Sequence, residues 1–449
     1  MIHRWRADGR EVAVIGLGRS GQAATRLLRA RSVPVYASDA GSGAGLDTVA
    51  LELSDLGAAV DTGMHDLERI RRAVGVVLSP GVPPDAAPVF AARDAGIVVR
   101  AEIDLGLEAV EGTPYIATTG TNGKSTVTGL VGHLLQSAGR RAEAVGNIGT
   151  PLSTIALEES RPDWLSIEFS SFQLHDCPLI NPVVGVLTNL SPDHLDRYAS
   201  LAAYYADKRL LFANAHPESV WVTNADDPES ERQAAGVPGQ RFRFSVRERA
   251  AGWFDRPAGR LMLDGKPLLA RRELPLLGDH NVANALAAAL AVAATGVPPE
   301  RIAEGLRTFS ALKHRLEPVR EVQGVLWIND SKATNISSTE VAVVALDRPF
   351  VLLLGGRHKG EPYTRLLPLL QDRCRAVVAY GEARPIVLGD LAPQVRVEEA
   401  GGFDDVLERA ARLAQPGDAV LLSPACSSYD MFLNYEQRGA TFRAWVEAR

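Results

Sequence analysis

The run Thr118-Thr-Gly-Thr-Asn-Gly-Lys-Ser-Thr126 holds the residue types that bind phosphate, between an apolar run ending at Thr119 and a helix-like segment reaching Leu135. Gly120 and Gly123 let the backbone N–H groups of the loop, through Thr121 and Asn122, close on phosphate oxygens. A helix N-terminus adds positive potential, and Lys124 reaches β- and γ-phosphates. A Ser125 or Thr126 hydroxyl supplies a Mg²⁺ ligand. Thr118 stands where the full GxxxxGK[ST] pattern has its first glycine. A bare Gly-Lys-Ser is common by chance, so the strand–loop–helix setting carries the reading.

Two further strand ends carry acids and a histidine. Glu168-Phe-Ser-Ser-Phe-Gln-Leu174 follows a strand expected beside the phosphate loop, where a carboxylate suits phosphate-bound Mg²⁺, although a strand-end Glu in a solvated loop reads the same way. Within Thr188-Asn-Leu-Ser-Pro-Asp-His-Leu-Asp-Arg-Tyr198, His194 is flanked by Asp193 and Asp196, which admits metal binding, substrate contact or a structural histidine. Lys208, on a helix expected over 201–213, reads from the sequence as a solvent-facing charge.

Gly16-Leu-Gly-Arg-Ser-Gly21 follows another apolar run, and Asp39 closes the next. That layout fits a loop holding a pyrophosphate and an acid binding a sugar hydroxyl or base edge. NAD(P), a nucleotide-sugar and a mere tight turn all remain open on spacing alone. Trp327-Ile-Asn-Asp-Ser-Lys-Ala-Thr-Asn335, Leu354-Gly-Gly-Arg-His-Lys359 and Leu422-Ser-Pro-Ala-Cys-Ser-Ser-Tyr-Asp-Met-Phe432 each begin where a strand should end. Three such loops on one sheet edge suggest a small-molecule pocket. Asp330 with Lys332 could equally be a surface ion pair worth little, and Gly355-Gly356 only a turn.

The elements that must position these loops alternate: apolar runs such as 12–15, 76–78, 116–119, 165–167, 325–328 and 419–422 are each followed by helix-like sequence. This predicts an α/β fold with parallel sheets and crossover helices. At 449 residues several domains are expected, and the softest boundaries divide the chain into 1–110, 111–310 and 311–449. Residues 241–275, rich in Arg, Gly and Pro, read as a peripheral antiparallel excursion of the middle unit.

With 46% hydrophobic and 23% charged residues, the chain has an ordinary globular composition. Its 54 acidic residues against 48 basic ones argue against a broad surface for nucleic acid. Cys177, Cys374 and Cys426 are too far apart for a disulfide framework or a CxxC site, so a reducing, cytoplasmic compartment is expected. The polar start MIHRWRADGR runs straight into a strand and predicts no signal peptide. The alanine-rich stretch 281–297 falls short of the roughly 18–20 strongly apolar residues that spanning needs, so no membrane partner is expected.

The ordered set GTNGKST, EFSSFQL, NLSPDHLDRY, GDHNVANALAA, HRLE, INDSKATN, LLLGGRHKG and SPACSSYDMFLNYEQRG resembles the Mur ligase family of peptidoglycan synthesis across all three units. The resemblance is nearest to the branch that adds D-glutamate. It implies a Rossmann-like N-terminal UDP-binding domain, a central P-loop ATPase-like domain and a C-terminal Rossmann-like domain that binds the amino acid. The implied reaction is phosphorylation of UDP-MurNAc-L-alanine at its carboxylate by Mg²⁺-ATP, followed by attack of D-glutamate. Alternatives are a sibling ligase using another amino acid, such as L-glutamate, and a non-catalytic nucleotide-binding partner of cell-wall synthesis. The absence of a DNPR-type loop argues against the sibling that adds diaminopimelate or lysine.

By the same resemblance, Gly18, Arg19, Ser20, Asp39, Ser79, Pro80, Gly81, Asn147 and His194 are expected to hold the UDP substrate. Gly120 to Thr126, Asn281, Asn284, Arg315 and Asp330 are expected to hold ATP. Lys332, Thr334, Lys359, Ser428, Tyr429 and Tyr435 are expected to form the D-glutamate pocket, with Tyr435 where the pattern has Phe. Ser125, Glu168, His194 and a carbamylated Lys208 are expected at two Mg²⁺ sites, and Lys124, Glu168, His194 and Lys208 form the catalytic set. The spacing from His194 to Lys208 is one residue shorter than the pattern. A monomer with small-molecule partners is implied.

Overall fold

Parallel strands buried on both faces read as unbroken apolar runs, and each run expected from the sequence is a strand in the computed structural model, which describes residues 1–193 and 197–449. The chain divides into two compact units: Met1–Leu274 with Ala283–Thr308, and Pro275–Val282 with Phe309–Arg449.

The first unit holds two sheets. The first contains β1 (Val12–Ile15), β2 (Val35–Asp39), β3 (Ala59–Thr62), β4 (Gly75–Leu78) and β5 (Val99–Ala101), all parallel, in the order β3-β2-β1-β4-β5. Ile15 is in register with both Ser38 and Leu78, so the following residues Gly16, Asp39 and Ser79 emerge together at the C-terminal edge. The second contains β6 (Tyr115–Thr119), β7 (Ala142–Gly146), β8 (Trp164–Glu168), β9 (Val184–Leu187), β10 (Val220–Asn224), β11 (Gln240–Ser245), β12 (Gly252–Asp255), β13 (Arg260–Leu263) and β14 (Lys266–Ala270). Their order is β14-β13-β12-β11-β10-β9-β6-β8-β7. Thr118 pairs with both Glu168 and Val186, so the phosphate-type loop leaves the sheet centre between the ends of β8 and β9.

Two expectations are corrected here. The excursion over 241–275 is antiparallel only from β12 onward, because β11 runs parallel to both β10 and β12. The helix Pro228–Gln233 carries the chain back across the sheet before β11, which sets a parallel pairing; β13 and β14 are instead joined by Asp264-Gly265. Both of those residues have positive φ, as a two-residue hairpin turn of the primed type requires. The polar N-terminus is not a plain lead-in either. Ile2–Asp8 is a helix whose Ile2 and Trp5 share one face and are buried, with Trp5 lying against Gly75. The Met1 ammonium and the Ile2 amide both donate to Glu108 Oε1, at 2.6 and 2.8 Å.

The second unit holds one sheet of β15 (Glu317–Val322), β16 (Val325–Asn329), β17 (Phe350–Gly355), β18 (Cys374–Tyr380), β19 (Val397–Glu399) and β20 (Ala419–Leu422), ordered β15-β16-β20-β17-β18-β19. All pairings are parallel except β15 with β16. Leu422 pairs with Asn329 and Leu353, so the three loops singled out in this part of the sequence leave one edge together. No helix among the described residues is long and apolar enough to cross a membrane.

Trp5→Ala would leave a cavity against Gly75 and is expected to destabilise the first unit by roughly 3 to 5 kcal/mol, read as a lower denaturant midpoint. An unchanged midpoint would contradict the packing of this helix.

Candidate functional site

Gly16, Asp39 and Ser79 frame the first cleft. Asp39 Oδ2 accepts the Leu17 amide at 2.7 Å and Oδ1 accepts the Gly41 amide at 2.8 Å, so the acid that ends β2 shapes the glycine loop directly. Ser79 Oγ donates to the Gly16 carbonyl at 2.9 Å, and Gly16, at φ +88°, leaves no room for a side chain against Ser79 and Val82. The resulting cavity of about 540 Å³ brings together Gly18, Arg19, Ser20, Asp39, Ser79, Pro80, Gly81 and Asn147. Sequence reasoning missed His65, which also lines it and shares a 2.9 Å hydrogen bond with Ser38 Oγ. Burial holds the His65 imidazole below its ordinary pKa, the nearby Asp39 opposing.

The loop after β6 has the backbone that its glycines permit. Gly120 has φ +143° and faces the Thr188 hydroxyl, while Gly123, in the left-handed region at φ +83°, faces the Asn284 amide. Lys124 begins the helix Lys124–Ser137, and its Nζ donates to the carbonyls of Gly120 (2.9 Å) and Thr121 (2.6 Å). The segment after β9 clasps the same loop. The Thr121 amide donates to the Asn189 carbonyl at 2.8 Å, the Asn122 amide to Asn189 Oδ1 at 3.0 Å, and Thr188 Oγ1 to the Asn122 carbonyl at 2.6 Å. Tyr204 adds a 3.1 Å hydroxyl contact to Thr121. Ser125 is buried, with its hydroxyl on the first helical turn.

Beside this loop Lys208 faces the interior, against the reading of its residue type alone and compatible with the metal-site role that the resemblance implies. Lys208 lies on the helix Leu201–Arg209, ends in the interior at 2% exposure, and donates to Thr119 Oγ1 at 3.1 Å. Tyr204 one turn earlier points the same way, its ring under the Lys208 ammonium. Burial first, then the Lys124 charge, pushes the Lys208 pKa well below its ordinary value, with Glu168, Asp193 and Asp207 opposing. Glu168 is itself buried: Oε1 accepts Asn147 Nδ2 at 2.9 Å, and Oε2 has no hydrogen-bond partner. A buried carboxylate oxygen without a hydrogen-bond donor is the kind of oxygen ligand that a hard divalent cation takes. His194 and Asp196 lie outside the described residues.

In the second unit the buried Asp330 accepts the Leu316 amide at 3.1 Å through Oδ1 and Ser423 Oγ at 2.8 Å through Oδ2, rather than forming a surface pair with Lys332. Burial raises its pKa to about 7. Arg315 stands between His314 (φ 65°) and Leu316 (φ 42°), two non-glycine residues in the left-handed region. Such strain persists where neighbours over-determine it, here Glu317 accepting the His314 amide at 2.9 Å and Asp330 the Leu316 amide. Lys332 lies over the Tyr435 ring at 5.3 Å, and Lys359 Nζ donates to Thr334 Oγ1 at 3.4 Å. Ser428 is buried and Tyr429 is largely exposed. Asn281 donates to the Leu277 carbonyl at 2.8 Å within this unit. Sequence reasoning missed Arg438, fully buried and donating to Ser331 and to the Cys426 carbonyl.

Residues 10–101 match the Mur ligase MurD-like N-terminal domain, residues 118–292 the Mur ligase middle domain, and residues 314–426 the Mur ligase glutamate ligase domain. The chain belongs to the Mur ligase family. It is 42% identical over 454 residues to the UDP-N-acetylmuramoylalanine–D-glutamate ligase of Salinibacter ruber, covering 97% of each chain. The ligase of the same name from Rubrobacter xylanophilus is 42% identical over 437 residues, with 96% of this chain and 97% of the relative covered. In fold, the chain is similar to the crystal structure of the UDP-N-acetylmuramate-alanine ligase of Thermotoga maritima, with a TM-score of 0.62 at 18% identity, over 98% and 99% of the two chains.

Asp330 supplies a pH test. Its folded pKa of about 7 lies above the ordinary 3.8, so between those values the folded chain holds a proton that the unfolded chain has lost. Stability therefore falls as pH rises through that window and is level above it. Asp330→Asn, which keeps an acceptor and a donor, should flatten that slope in denaturant titrations from pH 4 to 7. A variant as steep as the wild type would contradict the burial of this carboxyl.

Proposed function

We propose that this chain is an ATP-dependent, ADP-forming ligase that joins D-glutamate to UDP-N-acetylmuramoyl-L-alanine in peptidoglycan precursor synthesis. The observation that carries the reading is one sheet edge that gathers the Lys124 loop, Glu168 and buried Lys208, in a chain 42% identical along almost all its length to a D-glutamate ligase.

A carboxylate is a poor electrophile until one oxygen is converted to a phosphate leaving group. A substrate carboxylate oxygen attacks the γ-phosphorus and ADP departs. The amine of D-glutamate then attacks the acyl carbon, loses a proton and expels phosphate, leaving an amide. Negative charge grows on the transferring phosphoryl oxygens, where the Lys124 ammonium and the loop amides stabilise it. Ser125, Glu168, His194 and Lys208 are the residues that would hold Mg²⁺, with two sites expected. Mg²⁺ supplies charge neutralisation between the phosphates and the acceptor carboxylate. The depressed pKa of Lys208 favours the neutral amine, the form that adds CO₂, and the resulting carbamate would place an anion rather than a second cation beside Lys124.

Gly18, Arg19, Ser20, Asp39, Ser79, Pro80, Gly81 and Asn147 are assigned to the UDP substrate, supported by the one cavity that they line. Gly120 to Thr126, Asn281, Asn284, Arg315 and Asp330 are assigned to ATP. Lys332, Thr334, Lys359, Ser428, Tyr429 and Tyr435 are assigned to D-glutamate, with a lysine meeting a carboxylate. These roles follow a division into 1–110 for UDP, 111–310 for ATP and 311–449 for the amino acid. The three free cysteines fit a reducing cytoplasm, and the enzyme is assigned as a monomer.

With UDP-N-acetylmuramoyl-L-alanine and ATP present, phosphate release should require D-glutamate and stay at background with L-glutamate or L-alanine. Turnover with L-glutamate alone would overturn the choice of substrate. Lys124→Ala should keep the wild-type circular dichroism and lower turnover by at least about 10³-fold. Retained turnover would contradict the phosphoryl-transfer role.

A further inference from the structure

The segment that clasps the phosphate loop is itself held from behind. After β10, the turn Asn224-Ala-Asp-Asp227 leads into the helix Pro228–Gln233, and Asp227 is its N-cap. The capping bonds are long, with the Glu229 and Ser230 amides both 3.3 Å from the Asp227 carboxylate. A third bond is much shorter: Asp227 Oδ2 accepts the Leu190 amide at 2.6 Å. Leu190 lies between Asn189, which binds the Thr121 and Asn122 amides, and Ser191, whose amide and carbonyl both meet Thr121 Oγ1, at 3.0 and 3.1 Å. Asn224 Nδ2 adds a 2.9 Å bond to the Thr188 carbonyl at the start of the same segment. The other acid of the turn has a separate task, as Asp226 accepts Ser245 Oγ and the Val246 amide.

We propose that Asp227 is a positioning residue for phosphate binding: through the Leu190 amide it fixes the segment 188–191, which sets the backbone of Thr121 and Asn122. A hydrogen bond to an ionised acceptor is stronger than one between neutral groups, and a carboxylate reaches Leu190 while its two oxygens also cap the helix. Serine has an oxygen that caps a helix but is one bond too short to span both tasks. The inference rests on the assignment of the Lys124 loop to ATP, and concerns a residue outside those assigned to ATP or to either substrate.

The test is MgATP binding to the full chain by calorimetry, without the other substrates, so it reads the loop whatever amino acid the enzyme proves to use. Asp227→Ser should raise the ATP dissociation constant roughly tenfold, the scale of one lost charged hydrogen bond, while the thermal midpoint stays within a few degrees of wild type. Asp227→Asn, which keeps a carbonyl acceptor, should stay within about threefold. Asn189→Ala removes the next link of the same chain, so its effect should be strongly sub-additive with Asp227→Ser in a double-mutant cycle. Wild-type affinity in Asp227→Ser, an Asp227→Asn variant as impaired as Asp227→Ser, or additive effects of Asp227→Ser and Asn189→Ala would each overturn the proposal. If Asp227→Ser melts far below wild type, the decision passes to Asn189→Ala and Asp227→Asn: wild-type affinity in Asn189→Ala, or more than threefold loss in Asp227→Asn, overturns it.

Discussion

The charge balance around Lys208 constrains the rest of the catalytic edge. Its ammonium lies in the interior, where burial and the Lys124 charge both disfavour ionisation, and Glu168, Asp193 and Asp207 oppose them. Thr119 ties the arrangement together, since its hydroxyl donates to the Phe169 carbonyl at 2.8 Å and accepts from Lys208. Three connections, after β6, after β8 and on the helix Leu201–Arg209, thus converge within one side chain of each other. On the proposed assignment of the Lys124 loop to ATP, a second fixed cation beside Lys124 would over-neutralise a triphosphate that a lysine and a helix N-terminus would already serve. Under the same proposal, a neutral or anionic Lys208 would leave room for divalent cations beside the unpartnered oxygen of Glu168.

Around that centre the first unit is built to restrain backbone. Gly120 and Gly123 place the phosphate loop where no side chain would fit, and the segment after β9 binds the amides and carbonyls that those glycines expose. The first cleft uses the same device, with Asp39 and Ser79 holding the glycine loop from two neighbouring strands. In the second unit, Arg315 is presented by two left-handed residues whose amides are held by acids. Under the proposed function, such restrained backbone would position phosphate ligands without reorganisation when charge develops, which is where electrostatic catalysis gains most.

The strands, the alternation with helices and the loop locations were legible because a parallel strand covered on both faces must be apolar throughout. In the first cleft the glycine loop and Asp39 were legible because glycine and strand-end acids signal a tight approach to a ligand, whereas Ser79, Pro80, Gly81 and Asn147 were reached only through the family resemblance. Four things were not. The N-terminal helix rests on two buried residues, Ile2 and Trp5, too few to show a period. The direction of β11 depends on the helix that precedes it, and no residue of β11 records that helix. Lys208 and Arg438 are charged side chains on helices, which by residue type read as surface until tertiary contacts supply carbonyl, hydroxyl and aromatic partners; only the family resemblance singled out Lys208. For Lys208 a faint signal existed, since Tyr204 falls one turn earlier on the same face. Asp227, placed before Pro228, announces a helix cap; its bond to Leu190 is purely tertiary.

The central claim is that the Lys124 loop transfers the γ-phosphoryl group to a carboxylate, with no separate hydrolysis of ATP. The most direct measurement uses UDP-N-acetylmuramoyl-L-alanine labelled with ¹⁸O in its carboxylate, ATP and D-glutamate, with the released phosphate read by mass spectrometry. The account predicts that each phosphate carries one oxygen from the labelled carboxylate, because the acyl phosphate breaks at its carbon–oxygen bond. Phosphate free of the label, with product formed at the normal rate, would contradict it.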